Sequence, residues 1–284
     1  MVRSVKSEST ISSRIVVSLA GSRRRDQTVP ELLKHGFSIF DAVDGRAIST
    51  PGEVFDTDRF DKKYHRAPEP GEIGCTLSHL SVMRSFAEDS SCERRHWLVV
   101  AEDDAVLSPH FERDIERVLH RCSTLDMVML ASVAAPADVR WQDPVTSHTV
   151  ISLVEPPVVS VWSRPFVRRV GFVNTEALYG TLLYAIKKPA AQRILSSIDG
   201  RPYFVADDWV EFSRMGLRIG LVRPNLAGPR EDLSSEIRAG SNGDLWSGAA
   251  YEKGSLRERI RIRTRVRCLR ETVAVSIDDL RGRI

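Results

Sequence analysis

Long hydrophobic runs, paired cysteines and a large net charge are all missing from this sequence of 284 residues. Its apolar runs fall far below the roughly 18 residues that a membrane-spanning helix needs. The apolar segment from Ile15 to Gly21 has seven residues, follows a polar stretch and runs into arginines, so it does not resemble a secretory signal peptide. These absences predict a cytoplasmic protein.

The four cysteines are widely scattered, and no two of them form a Cys-x-x-Cys pair. This spacing supports neither a zinc site nor a disulfide framework. A Gly-x-x-x-x-Gly-Lys phosphate loop is also absent, which argues against a phosphoryl-transfer enzyme. We expect no nucleic-acid partner. The composition, 42% hydrophobic and 28% charged, is that of an ordinary globular protein, long for one domain and short for two.

The net charge of +3 is unevenly distributed. Residues 253–284 hold ten Lys or Arg and four Asp or Glu, so the preceding 252 residues carry a net charge of −3. Apolar residues in the tail recur at steps of three and four, which predicts a basic amphipathic helix in 251–284. Residues 257–280 could then make peripheral contact with an anionic membrane. The alternative is a helix packed on its own domain or on a second subunit.

Strand and helix patterns alternate along the chain after a polar segment, residues 1–13, that we expect to be disordered. We predict helices at 30–35, from 71 onward, from Ser108 and from Pro189, with residues 46–70 as an irregular loop. The predicted strands are Arg14–Leu19, Phe37–Phe40, Trp97–Val100, Asp126–Val133, Thr149–Val154, Val158–Trp162, Tyr179–Ile186 and Leu217–Val222. Their order indicates an α/β fold with a doubly wound sheet in a domain over 14–250.

Three consecutive acids, Glu102, Asp103 and Asp104, follow the apolar run Trp97–Val100 after one alanine. An uninterrupted apolar run is typical of a strand buried on both faces, and ligands bind in the crevice at the carboxyl end of such strands. Adjacent carboxylates repel one another, and a hard divalent cation such as Mg²⁺ or Mn²⁺ is a common way to hold them ionised beside a diphosphate. A solvated acidic loop is the alternative interpretation.

Two further groups of polar residues are candidates for substrate contacts. Arg23 and Arg24 follow the first strand, where guanidinium groups would suit phosphates, although they would equally suit a solvated turn. His79 lies on the helix beginning near residue 71, off its apolar stripe, and could either reach a phosphate or simply pack.

A second acidic cluster, Asp207 and Asp208, precedes Trp209. A buried carboxylate has a raised pKa and can act as a general base, and an indole can stack on a sugar ring. A helix amino terminus, where Asp is favoured by the dipole, is the alternative.

These motifs together resemble glycosyltransferase family 25, the lipooligosaccharide-type sugar transferases, over roughly residues 14–240. The resemblance rests on several short segments in a fixed order: Ser18-Leu19 with Arg23-Arg24, Phe40 to Gly45, Gly71 to Cys75 with Leu77-Ser78-His79, Glu102-Asp103-Asp104, Tyr179-Gly180-Thr181, and Asp207-Asp208. It implies a GT-A-type, Rossmann-like catalytic domain with a mostly parallel central sheet. It also implies inverting transfer from a nucleotide sugar, commonly UDP-galactose, and a divalent metal.

The resemblance further implies roles for individual residues. Asp104 would be the metal ligand, with Glu102 as a second ligand or a ribose contact, and the ion would be Mn²⁺ or Mg²⁺. Asp208, or Asp207 as the alternative, would be the catalytic base that takes the proton of the acceptor hydroxyl. The remaining candidates are expected to contact the nucleotide-sugar donor: Leu19, Arg23, Arg24, Asp44, Gly45, His79 and Asp103.

The acceptor would be a glycan or lipid-linked glycan such as a lipopolysaccharide core. Because no secretory signal is recognised and the chain ends Arg281-Gly282-Arg283-Ile284, we favour a bacterial enzyme at the inner face of the inner membrane over a collagen-modifying relative. Two other functions compete with this one. A catalytically inactive relative would bind glycans or proteins, and a metal-dependent phosphoryl-transfer enzyme would also need clustered acids.

The basic tail provides a direct test of membrane contact. If residues 257–280 bind anionic lipid, the full chain should sediment with anionic liposomes while a chain ending at Tyr251 stays in the supernatant, because the tail carries the surplus of positive charge. Neutral liposomes provide the control. Equal sedimentation of the two chains would contradict membrane contact through the tail.

Overall fold

Strand β3, Trp97–Glu102, lies inside the main sheet of the computed structural model, which describes residues 10–131, 158–163, 166–173, 175–178 and 180–230. Trp97, Val99 and Ala101 point into one apolar cluster with the helix that follows the acids, whereas Leu98 and Val100 point into a second cluster on the opposite face. Each of these five residues is at most 1% exposed. The prediction of a strand buried on both faces is therefore confirmed.

The described chain contains ten strands. They are β1 Ile11–Ser18, β2 Ser38–Asp41, β3 Trp97–Glu102, β4 Ala105–Leu107, β5 Met127–Met129, β6 Val159–Ser163, β7 Phe166–Phe172, β8 Leu183–Lys187, β9 Ile219–Arg223 and β10 Ala227–Pro229. Eight α-helices connect and cover them: α1 Arg23–Gln27, α2 Val29–Lys34, α3 Pro51–Val54, α4 Thr57–Tyr64, α5 Pro70–Glu88, α6 Phe111–Arg121, α7 Lys188–Ser197 and α8 Trp209–Arg214.

The main sheet has the strand order β2-β1-β3-β8-β5-β9-β7-β6, and β4 pairs with β10 in a separate small sheet. Six of the eight strands run in one direction, while β7 and β8 run the opposite way. The predicted mixed α/β fold with a mostly parallel, Rossmann-like sheet is thus found. The insertion of β8 between β3 and β5 interrupts the parallel order that a doubly wound sheet would have.

Several local predictions differ from the structure. β1 begins at Ile11, so residues 11–13 belong to a strand and not to a disordered segment. Helix α6 begins at Phe111, and Ser108 instead accepts a hydrogen bond from the backbone N–H of His110. Strand β7 was not predicted. The predicted strand Thr149–Val154 and the tail helix lie outside the described residues, within which no helix has the length and apolarity needed to cross a bilayer.

Residues 46–70, predicted to be an irregular loop, contain the short helices α3 and α4. The side chain of Asp56 caps α4 by accepting a hydrogen bond from the backbone N–H of Arg59. Phe55 and Phe60 are fully buried and form a small third cluster with Ile73 of α5. These two aromatic residues fold the segment onto the domain despite its high content of proline and charge.

The loop after β2 crosses the beginning of α5 so closely that the two backbones are in contact. A Cβ atom on Gly45 would lie 2.6 Å from the carbonyl carbon of Pro70, and one on Gly74 would lie 2.7 Å from the backbone nitrogen of Gly45. The hydroxyl of Ser78 strengthens the crossing by accepting a hydrogen bond from the Val43 backbone N–H at 2.8 Å. The two glycines therefore permit a contact that any side chain would block.

Gly74→Ala should consequently destabilise the fold, because backbone atoms on the opposite side of the crossing cannot move aside as a side chain could. We expect a loss of about 1–3 kcal/mol, typical of overpacking, measured by denaturant unfolding. Gly52→Ala is the matched control, since a Cβ there meets nothing within 4 Å. Equal stability of the two variants would contradict the proposed role of the crossing.

Candidate active site

The candidate site lies at the edge of the sheet where β1 and β3 end. The register pairs Val17 with Glu102, so the last residues of both strands lie side by side. Since β8 runs antiparallel to β3, with Ala101 opposite Leu183, the residues that lead into β8 reach the same edge. Three segments distant in sequence thus meet at one place.

Arg24 neutralises two of the three consecutive acids. Its guanidinium lies 3.1 Å from a carboxylate oxygen of Asp104 and 3.5 Å from one of Asp103. The hydroxyl of Ser18 donates a hydrogen bond of 2.8 Å to the other oxygen of Asp103. Arg24 and Asp103 are buried, so this ion pair is shielded from solvent.

The other residues between β1 and α1, and the other arginines at the start of α1, have different contacts. Ser22 caps α1 by accepting the backbone N–H of Arg24, and the carbonyl of Leu19 accepts that of Ser22 at 3.2 Å. Arg23 is exposed, whereas Arg25 forms an ion pair with Asp41. Arg24 therefore contacts the protein's own carboxylates, and a contact of Arg23 or Arg24 with a nucleotide stays a prediction.

Glu102 is the acid of the triplet that has no cationic partner within ion-pair distance in the described chain. Its carboxylate accepts a hydrogen bond from the hydroxyl of Thr181, and its backbone N–H donates to the carbonyl of Leu182. Burial, together with the nearby charge of Asp104, raises its pKa to about 8. A cation bound beside Glu102 would lower this pKa, because it would stabilise the ionised carboxylate against both burial and the charge of Asp104.

Asp207 is held close to Glu102 by the same segment. The backbone N–H of Gly180 donates a hydrogen bond of 2.7 Å to a carboxylate oxygen of Asp207. Gly180 has φ of 77°, a left-handed conformation that suits glycine. Burial raises the pKa of Asp207 above its usual value, and no basic side chain pairs with it among the described residues. The segment Gly180–Thr181 therefore links the two carboxylates through one hydrogen bond to each.

Asp208, the preferred base in the sequence analysis, is occupied by structural contacts. It caps α8 by accepting the Glu211 backbone N–H at 3.0 Å, forms an ion pair of 2.8 Å with Lys63 and accepts a hydrogen bond from the Tyr64 hydroxyl. Although burial alone would raise its pKa, the contacts from Lys63 and Tyr64 lower it overall. Asp208 thus joins α4 to α8.

Trp209, expected to stack on a sugar, is 1% exposed and packs in the apolar core against Tyr184 and Phe212. That expectation is wrong for the described structure, because a ring inside the core offers no face to a ligand. The indole is part of the apolar core. Asp208 caps a helix, which matches the alternative interpretation of Asp207 and Asp208 as a helix amino terminus.

Asp44 and Gly45 shape a loop in the structure. The carboxylate of Asp44 forms a two-pronged ion pair with the guanidinium of Arg46, at 2.8 and 3.0 Å, whose hydrogen bonds lower the pKa of Asp44. Gly45 lies at the backbone crossing with α5. A contact of either residue with a nucleotide stays a prediction.

His79 is buried in α5, with 2% of its surface exposed, and its Nδ1 lies 2.9 Å from the hydroxyl of Tyr184. Burial lowers its pKa to about 4, so the imidazole is neutral near pH 7. One helical turn earlier, the thiol of Cys75 lies close to both His79 and Glu102. Cys75 and His79 belong to one predicted helix, but no pattern in the sequence connects them with Glu102.

The side chains that could hold a metal ion differ from those of the predicted Mn²⁺ or Mg²⁺ site. In the described residues, the three-residue group able to hold a metal comprises Cys75, His79 and Glu102, with ligand atoms within 4.8 Å of one another. Asp104 faces Arg24 instead. Sulfur and nitrogen donors do not fit hard cations that prefer oxygen ligands, and the Glu102–Asp104 pair stays a prediction.

Several residues of this region escaped the sequence analysis as functional candidates. Thr181 was recognised only as part of a motif, and Cys75 only as part of a helix. Lys63 and Tyr64 fell in the predicted irregular loop. The four-residue spacing from Cys75 to His79 was a detectable signal, because it places both side chains on one helix face.

Comparison with known proteins gives three findings. The family model described as Glycosyltransferase family 25 (LPS biosynthesis protein) matches residues 11–210. A Drosophila melanogaster protein described as a glycosyltransferase 25 family member is 33% identical over 87 residues, which cover 29% of this chain and only 14% of that relative. The crystal structure of A197 from STIV aligns over 75% of this chain and 81% of its own, with 13% identity and a TM-score of 0.38.

Proposed function

This chain belongs to glycosyltransferase family 25, and we propose on that premise that it moves a hexose from a nucleotide-sugar donor to a hydroxyl group of a glycan. The observation that carries the proposal is the convergence of Glu102, Asp207 and the ion-paired Arg24 at one edge of the sheet. Ligands of α/β proteins bind at this edge. Donor and acceptor would meet there.

Asp207 is the proposed general base. It is half-buried, has a raised pKa and accepts one hydrogen bond from the Gly180 N–H. A base works best when its pKa approaches the working pH. Asp208 is less suitable because Lys63 and Tyr64 stabilise its ionised form. The assignment therefore reverses the preference derived from sequence.

Transfer would then be a single displacement. Asp207 takes the proton of the acceptor hydroxyl as its oxygen attacks the anomeric carbon, and the bond from that carbon to the diphosphate oxygen breaks. Negative charge grows on the departing diphosphate, and positive groups already in place stabilise it. Because one displacement inverts the anomeric carbon, the product would have inverted configuration.

The two arginines would have separate roles in this mechanism. Arg23 is exposed at the start of α1 and can approach the diphosphate with its forked donors. Arg24 is a positioning residue, because its guanidinium holds Asp103 and Asp104 at the sheet edge. Leu19 is half-buried and His79 is buried, so contact of either side chain with the donor stays a prediction.

UDP-galactose and a lipooligosaccharide-type core are the proposed donor and acceptor. The donor is proposed from the family resemblance alone, whereas the acceptor is also supported by the family model, whose description refers to LPS biosynthesis. A peripheral location at an anionic membrane would bring the enzyme to a lipid-linked acceptor, and residues 257–280 carry the charge to hold it there.

Asp207→Asn should lower the rate of sugar transfer by about 10²–10⁴, the usual effect of removing a general base, with little change in donor affinity or thermal stability. Transfer from UDP-galactose to a lipooligosaccharide core would be followed as release of UDP, and donor binding by calorimetry.

Asp208→Asn is the matched control, because it alters a neighbouring carboxylate of the same size. It should destabilise the protein by weakening the contacts with Lys63 and Tyr64 while retaining more transfer per folded molecule than Asp207→Asn. A variant Asp207→Asn with near-normal turnover would refute the assignment of the base. Failure of the unaltered protein to transfer or hydrolyse any nucleotide sugar would refute the proposed function.

A further inference from the structure

Three side chains of different chemistry converge where α5 passes the carboxyl end of β3. Cys75 and His79 lie one helical turn apart on α5, and Glu102 is the last residue of β3. One ligand atom from each lies within 4.8 Å of the other two. A thiol, an imidazole and a carboxylate are the donors that proteins most often present to zinc.

The imidazole of His79 has a buried nitrogen that lacks a hydrogen-bond partner among the residues that the structure describes. That nitrogen is Nε2, whereas Nδ1 lies 2.9 Å from the hydroxyl of Tyr184. Buried polar atoms are rarely left unsatisfied, because the loss of water is then uncompensated. If Nδ1 donates its proton to Tyr184, Nε2 is left with a lone pair available to a cation, and one of the two ring nitrogens lies within 4.8 Å of the donor atoms of Cys75 and Glu102.

Outer contacts orient two of the three candidate ligands. The hydroxyl of Thr181 donates to Glu102, and that of Tyr184 contacts His79. Such second contacts are typical of metal sites, where they set the tautomer of a histidine and the rotamer of a carboxylate. Both hydroxyls come from β8 or from the residues leading into it, so a single strand supports both ligands.

We propose that Cys75 Sγ, His79 Nε2 and the carboxylate of Glu102 bind a thiophilic divalent cation of the zinc class. Zinc bonds of about 2.0–2.3 Å bring tetrahedral ligands within roughly 4 Å of one another, so ligand atoms that already lie within 4.8 Å of one another need only a small approach to reach that arrangement. Three protein ligands leave a fourth position for water or substrate.

This site shares Glu102 with the predicted Mn²⁺ or Mg²⁺ site but differs from it in the other ligands and in the ion. Hard cations favour oxygen donors, whereas thiolate and imidazole favour Zn²⁺ or Co²⁺. Binding of the ion follows from the three side chains alone. Contact between the ion and a donor diphosphate would in addition rest on the proposed function.

Cobalt provides a direct readout, because a Co²⁺–thiolate bond absorbs by charge transfer in the near ultraviolet. The full chain, freed of metal with a chelator, should take up about one Co²⁺ with this absorption, and Zn²⁺ should displace it. Cys75→Ser should lose the thiolate absorption. Cys92→Ser is the matched control, because Cys92 is also half-buried but lies near Asp89, and it should leave the absorption intact.

A second measurement avoids dependence on a variant that could misfold. In the unaltered chain, Zn²⁺ should slow alkylation of Cys75 relative to Cys92, which serves as an internal reference. Thr181→Val, which removes an outer contact, should weaken Zn²⁺ affinity about 10–100-fold.

The inference is overturned if cobalt produces no thiolate absorption, if that absorption survives in Cys75→Ser, or if zinc protects both cysteines equally. The outcome is independent of catalysis. A chain that transfers sugar without binding cobalt through sulfur contradicts this site alone, and a chain with the cobalt absorption but no donor binding contradicts the transfer proposal alone.

Discussion

Mutual repulsion among four carboxylates at one sheet edge is the constraint around which this site is built. Glu102, Asp103, Asp104 and Asp207 interact through their charges, and burial adds a further cost to ionising them. The protein offsets that cost with a guanidinium between Asp103 and Asp104 and with the hydrogen bonds from Gly180 and Thr181. No basic side chain of the described residues pairs with Glu102 or Asp207, so burial keeps their pKa values raised at the place where the proposed chemistry needs a proton acceptor.

The central strands could be predicted because their composition reflects burial. Trp97–Val100 is apolar without alternation, and a strand covered on both faces needs such a run. The direction of a buried strand leaves no mark in its composition. Leu183–Lys187 was therefore recognised as part of a strand, while its antiparallel placement between β3 and β5 depends on tertiary packing. The helix α4 was missed because its stability comes from the distant contacts of Phe60 and Asp208.

The acidic residues of the site could be found by inspection, but their individual roles could not. Asp207 and Asp208 are adjacent and chemically identical, yet Gly180 contacts one and Lys63 contacts the other. These partners lie 27 and 145 positions away in the chain, so no local pattern distinguishes the two. The scattered cysteines likewise suggested no metal site, because the ligand that completes the group with Cys75 and His79 comes from a different element.

The reversed direction of β8 also bears on how the protein acquires its activity during folding. The edge of the sheet unites residues near positions 20, 102, 180 and 207, and contacts so distant in sequence form only after large loops have closed. A nascent or truncated chain that ends before Gly180 therefore has Glu102, Asp103 and Asp104 but lacks both the Thr181 hydroxyl that contacts Glu102 and the carboxylate of Asp207. During folding, the protein should therefore become able to bind a ligand at this edge only when the sheet is complete.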